Sequence, residues 1–122
     1  MAVILIIDDT DMVRDLLQKS LERVGHDVRA AKDGLEGLQL FNEFPPDVVI
    51  TDILMPDCDG IEVIQALRKQ RPGLKILAIS GADGAMDFLR AAQFIGATRT
   101  LHKPLLVSTV LKTVEELLAL KV

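Results

Sequence analysis

The sequence has a single cysteine, Cys58, and neither tryptophan nor tyrosine. One cysteine excludes an internal disulfide, offers no thiolate cluster for zinc, and fits a reducing compartment. With aromatic residues at 3%, the core has to be aliphatic, built from Leu, Ile, Val and Ala. No apolar run approaches the roughly 20 residues that a membrane-crossing helix needs; the longest near the start is Val3 to Ile7. Met1-Ala2 opens no basic stretch followed by an apolar run and a small-residue cleavage site, so no secretory signal is expected and a cytoplasmic location follows. Net charge is −4, and Lys and Arg are scattered, so the basic stripe of a nucleic-acid binder is missing. Internal repeats, linkers and low-complexity segments are also lacking.

What is present is enough for one domain: 122 residues, 49% of them apolar and 26% charged. Val3-Ile4-Leu5-Ile6-Ile7 is apolar without alternation, as in a strand covered on both faces of a parallel sheet. Val28–Ala31, Val48–Thr51, Ile76–Ile79 and a weaker Thr98–Leu101 recur at similar spacing, giving five strands. Between the first two, Met12, Val13, Leu16, Leu17, Leu21 and Val24 repeat at helical spacing, and Gly25 supplies a stop. Asp33 with Glu36, and Asp59 with Glu62, have capping-box spacing and start two more helices. Met86, Leu89 and Ala92 suggest a fourth helix, and Pro104 opens a fifth that buries Val107, Val110, Leu111, Val114 and Leu118. Alternating strands and helices predict an α/β fold of one domain spanning residues 1–122: a doubly wound, flavodoxin-like (βα)5 parallel sheet of strand order 2-1-3-4-5.

Ligands in such sheets bind beyond the carboxyl ends of the strands. Asp8 and Asp9 follow the first strand, Asp52 ends the third, Ser80 ends the fourth and Lys103-Pro104 follow the fifth, so all reach one rim. Three carboxylates brought together resist joint ionisation unless a hard divalent cation occupies the gap, and magnesium fits oxygen ligands. A carboxylate so placed can act as a nucleophile toward phosphorus, with metal and lysine neutralising charge on the transferring group.

In Ile7-Asp8-Asp9, Asp52-Ile53-Leu54-Met55-Pro56 with Asp59-Gly60, Ser80-Gly81 and Lys103-Pro104, the chain resembles the response-regulator receiver family over essentially its whole length. The resemblance implies a two-component signalling switch in which Asp52 accepts a phosphoryl group from a histidine kinase or histidine phosphotransfer protein. It implies Mg2+ ligated by Asp9 and Asp52, by Asp8 largely through water, and by the backbone carbonyl of Leu54. Lys103 would pair with Asp52 or its phosphate, Ser80 would bond a phosphoryl oxygen, and Pro104 would follow a cis peptide bond. Such a domain is not a conventional enzyme; it catalyses its own phosphorylation and dephosphorylation. Phosphorylation would shift the surface of the fourth helix, fifth strand and fifth helix. Because the chain stops after the fifth helix, the expectation is a stand-alone domain acting on a protein target in trans.

Three positions depart from or vary within the family pattern. Thr100 stands where many receivers carry Tyr or Phe, which removes the aromatic half of the switch. Leu54 and Ala82 stand where side chains influence access of hydrolytic water, and neither can orient a water through a polar group. The expectation is a phosphorylated form no shorter-lived than one with polar groups there; sharp slowing of dephosphorylation in Leu54→Asn would contradict it.

Blander readings apply elsewhere. Asp11 reads as a helix cap, Asp57 and Asp59 as turn and cap residues, and Cys58 as an inert loop residue. His26 and His102 lack partner spacing for a metal. Gly81-Ala82-Asp83-Gly84 reads as a mobile loop. A rival function is a haloacid-dehalogenase-type phosphatase using Asp9 as nucleophile and Asp11 as general acid, which leaves Asp52 unexplained. Another is a docking module of the same fold that is never phosphorylated.

Overall fold

The apolar runs form strands whose alternate residues enter two different cores. In the computed structural model, which describes residues 2–53, 60–81, 90–93 and 95–120, β1 (Val3–Ile7) sends Ile4 and Ile6 to one face and Leu5 and Ile7 to the other. All four are fully buried, which accounts for a run that is apolar at every position. β3 (Val48–Asp52) divides likewise, with Val48 and Ile50 on one face and Val49 on the other. Together with β2 (Asp27–Ala31), β4 (Lys75–Ser80) and β5 (Arg99–His102) these strands make one parallel sheet of order β2-β1-β3-β4-β5. The predicted doubly wound sheet is therefore observed. β5 runs one residue later than the sequence pattern suggests, and Thr98 instead brackets Ile76: its own amide donates to the Ile76 carbonyl at 2.8 Å and its hydroxyl accepts from the Ile76 amide at 3.1 Å.

Helices α1 (Asp11–Arg23) and Val107–Ala119 cover the Ile4/Ile6 face through Leu17, Leu21, Val110, Val114 and Leu117. Helices α2 (Gly34–Glu43) and α3 (Gly60–Gln70) cover the other face through Phe41, Val63, Ile64 and Leu67. Of the predicted fourth helix, Arg90–Gln93 are helical with Ala92 buried, while Met86 and Leu89 lie outside the described residues. Gly25 ends α1 at φ +98°, the left-handed backbone that glycine tolerates. Asp33 caps α2 as expected: its Oδ1 accepts from the Glu36 amide at 2.8 Å, and Glu36 Oε1 accepts from the Lys32 amide at 3.1 Å.

Three helix expectations need correction. Asp11 does not cap α1; Thr10 holds that position, and Asp11 is the first helical residue. Of the apolar stripe on α1, Met12, Leu16 and Val24 are exposed, since only Leu17 and Leu21, with Val13 partly, meet the sheet. Pro104 does not open the last helix, which begins at Val107 after an extended Leu106 (φ −91°, ψ 128°). Its buried positions are Val110, Thr113, Val114 and Leu117, with Val107, Leu111 and Leu118 half-buried. Among the described residues no helix is long and apolar enough to cross a membrane.

Candidate functional site

Parallel pairing aligns the carboxyl ends of the strands, with Ile7 opposite Thr51, Asp52 opposite Ile79 and Ser80 opposite His102. Whatever follows each strand is thereby delivered to one rim. Asp8 continues β1, its amide bonded to the Ala31 carbonyl at 3.1 Å, and it is fully buried. Asp52, at the end of β3, is 5% exposed, whereas Asp9 is open to solvent. One carboxylate oxygen from each of Asp8, Asp9 and Asp52 lies within 4.8 Å of the others. The sequence expectation that these acids converge is met.

Lys103 reaches the same point. Its amide donates to the Ser80 carbonyl at 2.8 Å, which ties the start of its loop to the end of β4. Its Nζ donates to Asp52 Oδ2 at 2.9 Å and Asp8 Oδ2 at 3.1 Å. Burial alone would lower the ammonium's pKa, but the hydrogen bond and charge of Asp52, then those of Asp8, outweigh it and hold the group above the ordinary lysine value. The Lys103-Pro104 bond is cis. Among the described residues, one ammonium against three carboxylates leaves two negative charges in excess, the amount a divalent cation balances, and an all-oxygen donor set suits Mg2+. Ser80 is fully buried and its Oγ has no hydrogen-bond partner among the described residues. A buried hydroxyl without a partner is costly and therefore available to an acceptor arriving at the rim.

Two glycines make the closeness possible. A Cβ on Gly60 would sit 2.3 Å from both the Asp52 carbonyl oxygen and Ile53 Cα, so only glycine lets α3 start directly against the end of β3. The Gly60 amide uses that approach to bond the Ile53 carbonyl at 3.1 Å. A Cβ on Gly81 would meet the Lys103 Cβ at 2.7 Å, in the path of the lysine stem.

Arg14 was not singled out by the sequence reading. Its Nη1 donates to the Asp8 carbonyl at 2.7 Å and its Nη2 pairs with the Asp11 carboxylate. The i, i+3 spacing of Asp11 and Arg14, one turn past the acid pair, was the available signal. Thr100 is half-buried in β5 opposite Ala78. His26 has a structural bond, its Nδ1 accepting from the Ala2 amide at 3.3 Å, and His102 is exposed. Leu54, Asp57, Cys58, Asp59, Ala82, Asp83 and Gly84 lie outside the described residues.

The chain is similar to known proteins in sequence and fold. Residues 4–115 match the family model of the response regulator receiver domain. The chain is 38% identical over 101 residues to the alkaline phosphatase synthesis transcriptional regulatory protein PhoP of Bacillus subtilis, covering 83% of this chain and 42% of that protein. It is 36% identical over 115 residues to the response regulator MprA of Mycobacterium sp. (strain KMS), covering 94% of this chain and 50% of that protein. The chain thus spans about half the length of these curated relatives. Among solved structures, a response regulator receiver domain protein from Clostridium thermocellum superimposes with a TM-score of 0.90 at 30% identity, covering 97% of this chain and 94% of that one. Chemotaxis protein CheY4 of Vibrio cholerae gives 0.88 at 31% identity, covering 96% and 98%.

The chain belongs to the response regulator receiver family and is a receiver domain of a two-component response regulator. The rival phosphatase reading is not favoured: Lys103 pairs with Asp8 and Asp52 rather than with its proposed nucleophile Asp9, and its proposed general acid, Asp11, is engaged by Arg14.

Proposed function

We propose that this receiver domain is switched by reversible phosphorylation of Asp52, in the cytoplasm, with a histidine kinase or histidine phosphotransfer protein as donor. The observation that carries the reading is a buried Asp52 carboxylate 2.9 Å from the Lys103 ammonium, with the Asp8 and Asp9 carboxylates close enough to share an ion with it. In the forward step an Asp52 Oδ attacks the phosphorus of a phosphoimidazole. The O–P bond forms as the P–N bond breaks, and the imidazole nitrogen keeps the electron pair and takes up a proton. Lys103 offers its charge to the phosphoryl oxygens, and the Ser80 hydroxyl, which has no partner among the described residues, donates to one of them. Asp8, Asp9 and Asp52 are the residues that would hold Mg2+, which when bound would neutralise phosphoryl charge; the Leu54 carbonyl is added as a ligand on the family resemblance alone. Movement of Ser80 toward phosphate would carry Gly81 and the segment after it, shifting the surface next to β5 that selects a protein target.

The test is labelling by acetyl phosphate with Mg2+, followed by intact mass and peptide mapping. Wild type is expected to gain one phosphoryl group on Asp52, and Asp52→Asn none. Label that persists in Asp52→Asn, or that maps to Asp9, contradicts the proposal. A domain that takes no label and binds no beryllofluoride would be a docking module instead.

A further inference from the structure

Of the three acids at the rim, Asp9 is the one whose carboxylate no hydrogen bond or ion pair holds among the described residues. Asp8 is fixed through both oxygens, Oδ1 accepting from the Thr10 amide at 2.8 Å and Oδ2 from Lys103, and Asp52 is fixed by Lys103. The position of Asp9 therefore depends on the backbone of the turn between β1 and α1. Arg14 spans that turn. One arm of its guanidinium bonds the Asp8 carbonyl on the near side of Asp9, and the other bonds the Asp11 carboxylate on the far side.

Helix stability does not account for this arrangement. A cation in the first turn of α1 opposes the helix dipole. The Asp11 side chain is 93% exposed, so its ion pair with Arg14 contributes little to folding. The planar fork is suited to holding two acceptors at a fixed separation, which a lysine cannot do.

We propose that Arg14 is a positioning residue for the cation site: it clamps the turn from Asp8 to Asp11 and so fixes where the Asp9 carboxylate points. This rests on the Mg2+ reading above. The clamp and the bare charge of Arg14 make opposite predictions. A positive charge beside the acids repels a cation, so if charge were its only effect, Arg14→Ala would bind Mg2+ more tightly and Arg14→Lys would match wild type. A clamp predicts weaker binding in both variants, by about tenfold, as for other residues that orient metal ligands.

The experiment is calorimetric titration of the unphosphorylated full chain with MgCl2, alongside amide hydrogen exchange at Asp9 and Thr10 without metal. The expected result is a raised Mg2+ dissociation constant in Arg14→Ala and Arg14→Lys, with faster exchange at both amides and an unchanged far-UV circular dichroism spectrum. Tighter or unchanged binding in Arg14→Ala, wild-type binding in Arg14→Lys, or unaltered exchange overturns the clamp. Wild type that takes up no Mg2+ overturns the function reading itself, an outcome separate from failure of the variants alone.

Discussion

The fold places the Lys103 ammonium in a partly buried, strongly charged environment. The ammonium sits between two buried carboxylates, and their attraction more than offsets the cost of burial, raising its pKa. A group whose folded pKa lies above its unfolded one contributes stability that is fully present below the unfolded value and lost as pH rises through the folded value. Lys103 is therefore expected to stabilise the metal-free protein throughout the neutral range and to lose that effect only above the ordinary lysine value. The check is the urea midpoint of wild type and Lys103→Met across pH. The gap between them should stay constant up to the lysine range and narrow beyond it. A gap that closes between pH 6 and 8 would contradict the ion-pair assignment. Unfolding has to be followed by far-UV circular dichroism, because the chain has no tryptophan or tyrosine.

Between elements, β3 and α3 meet backbone to backbone at Gly60. Gly60 lies against the Asp52 carbonyl and Ile53 Cα, and both obstructing groups are backbone, which cannot swing aside. Gly60→Ala is expected to lower stability by about 1–3 kcal/mol, the usual cost of overpacking, and to reduce Asp52 labelling by moving the end of β3. Denaturant unfolding and acetyl-phosphate labelling of the same preparation test both parts; wild-type values in each would show that the junction yields. The sequence made Gly60 visible only as part of a motif, because close approach of one backbone to another has no local pattern. Periodicity likewise marked the apolar positions of α1 without showing that Met12 and Leu16 stay exposed. The start of the last helix was misplaced for a related reason. Leu105 and Leu106 continue the apolar pattern, and a proline's fixed φ fits an extended segment as well as a first helical turn.

At the scale of the whole molecule, the sheet order and the convergence of Asp8, Asp9, Asp52, Ser80 and Lys103 were legible because each of them follows an apolar run. Parallel strands place all their carboxyl ends on one rim, so listing the residues after each run amounts to listing the site. Arg14 escaped that logic: its partner at the site is a main-chain carbonyl, which every residue possesses and no residue type announces. The Ser80 hydroxyl, without a partner among the described residues, could not be read either, since a Ser-Gly pair looks the same in a turn. If Asp52, Lys103 and Ser80 act as one phosphate-responsive unit around a shared cation, amide NMR spectra recorded with Mg2+ and beryllofluoride, separately and together, will show it. Mg2+ alone is expected to shift amides beside Asp9 and Asp52, whereas shifts at Ser80, Gly81 and Lys103 are expected only with both additions and not in Asp52→Asn. Spectra that do not change with both present, or that change equally in Asp52→Asn, would contradict it.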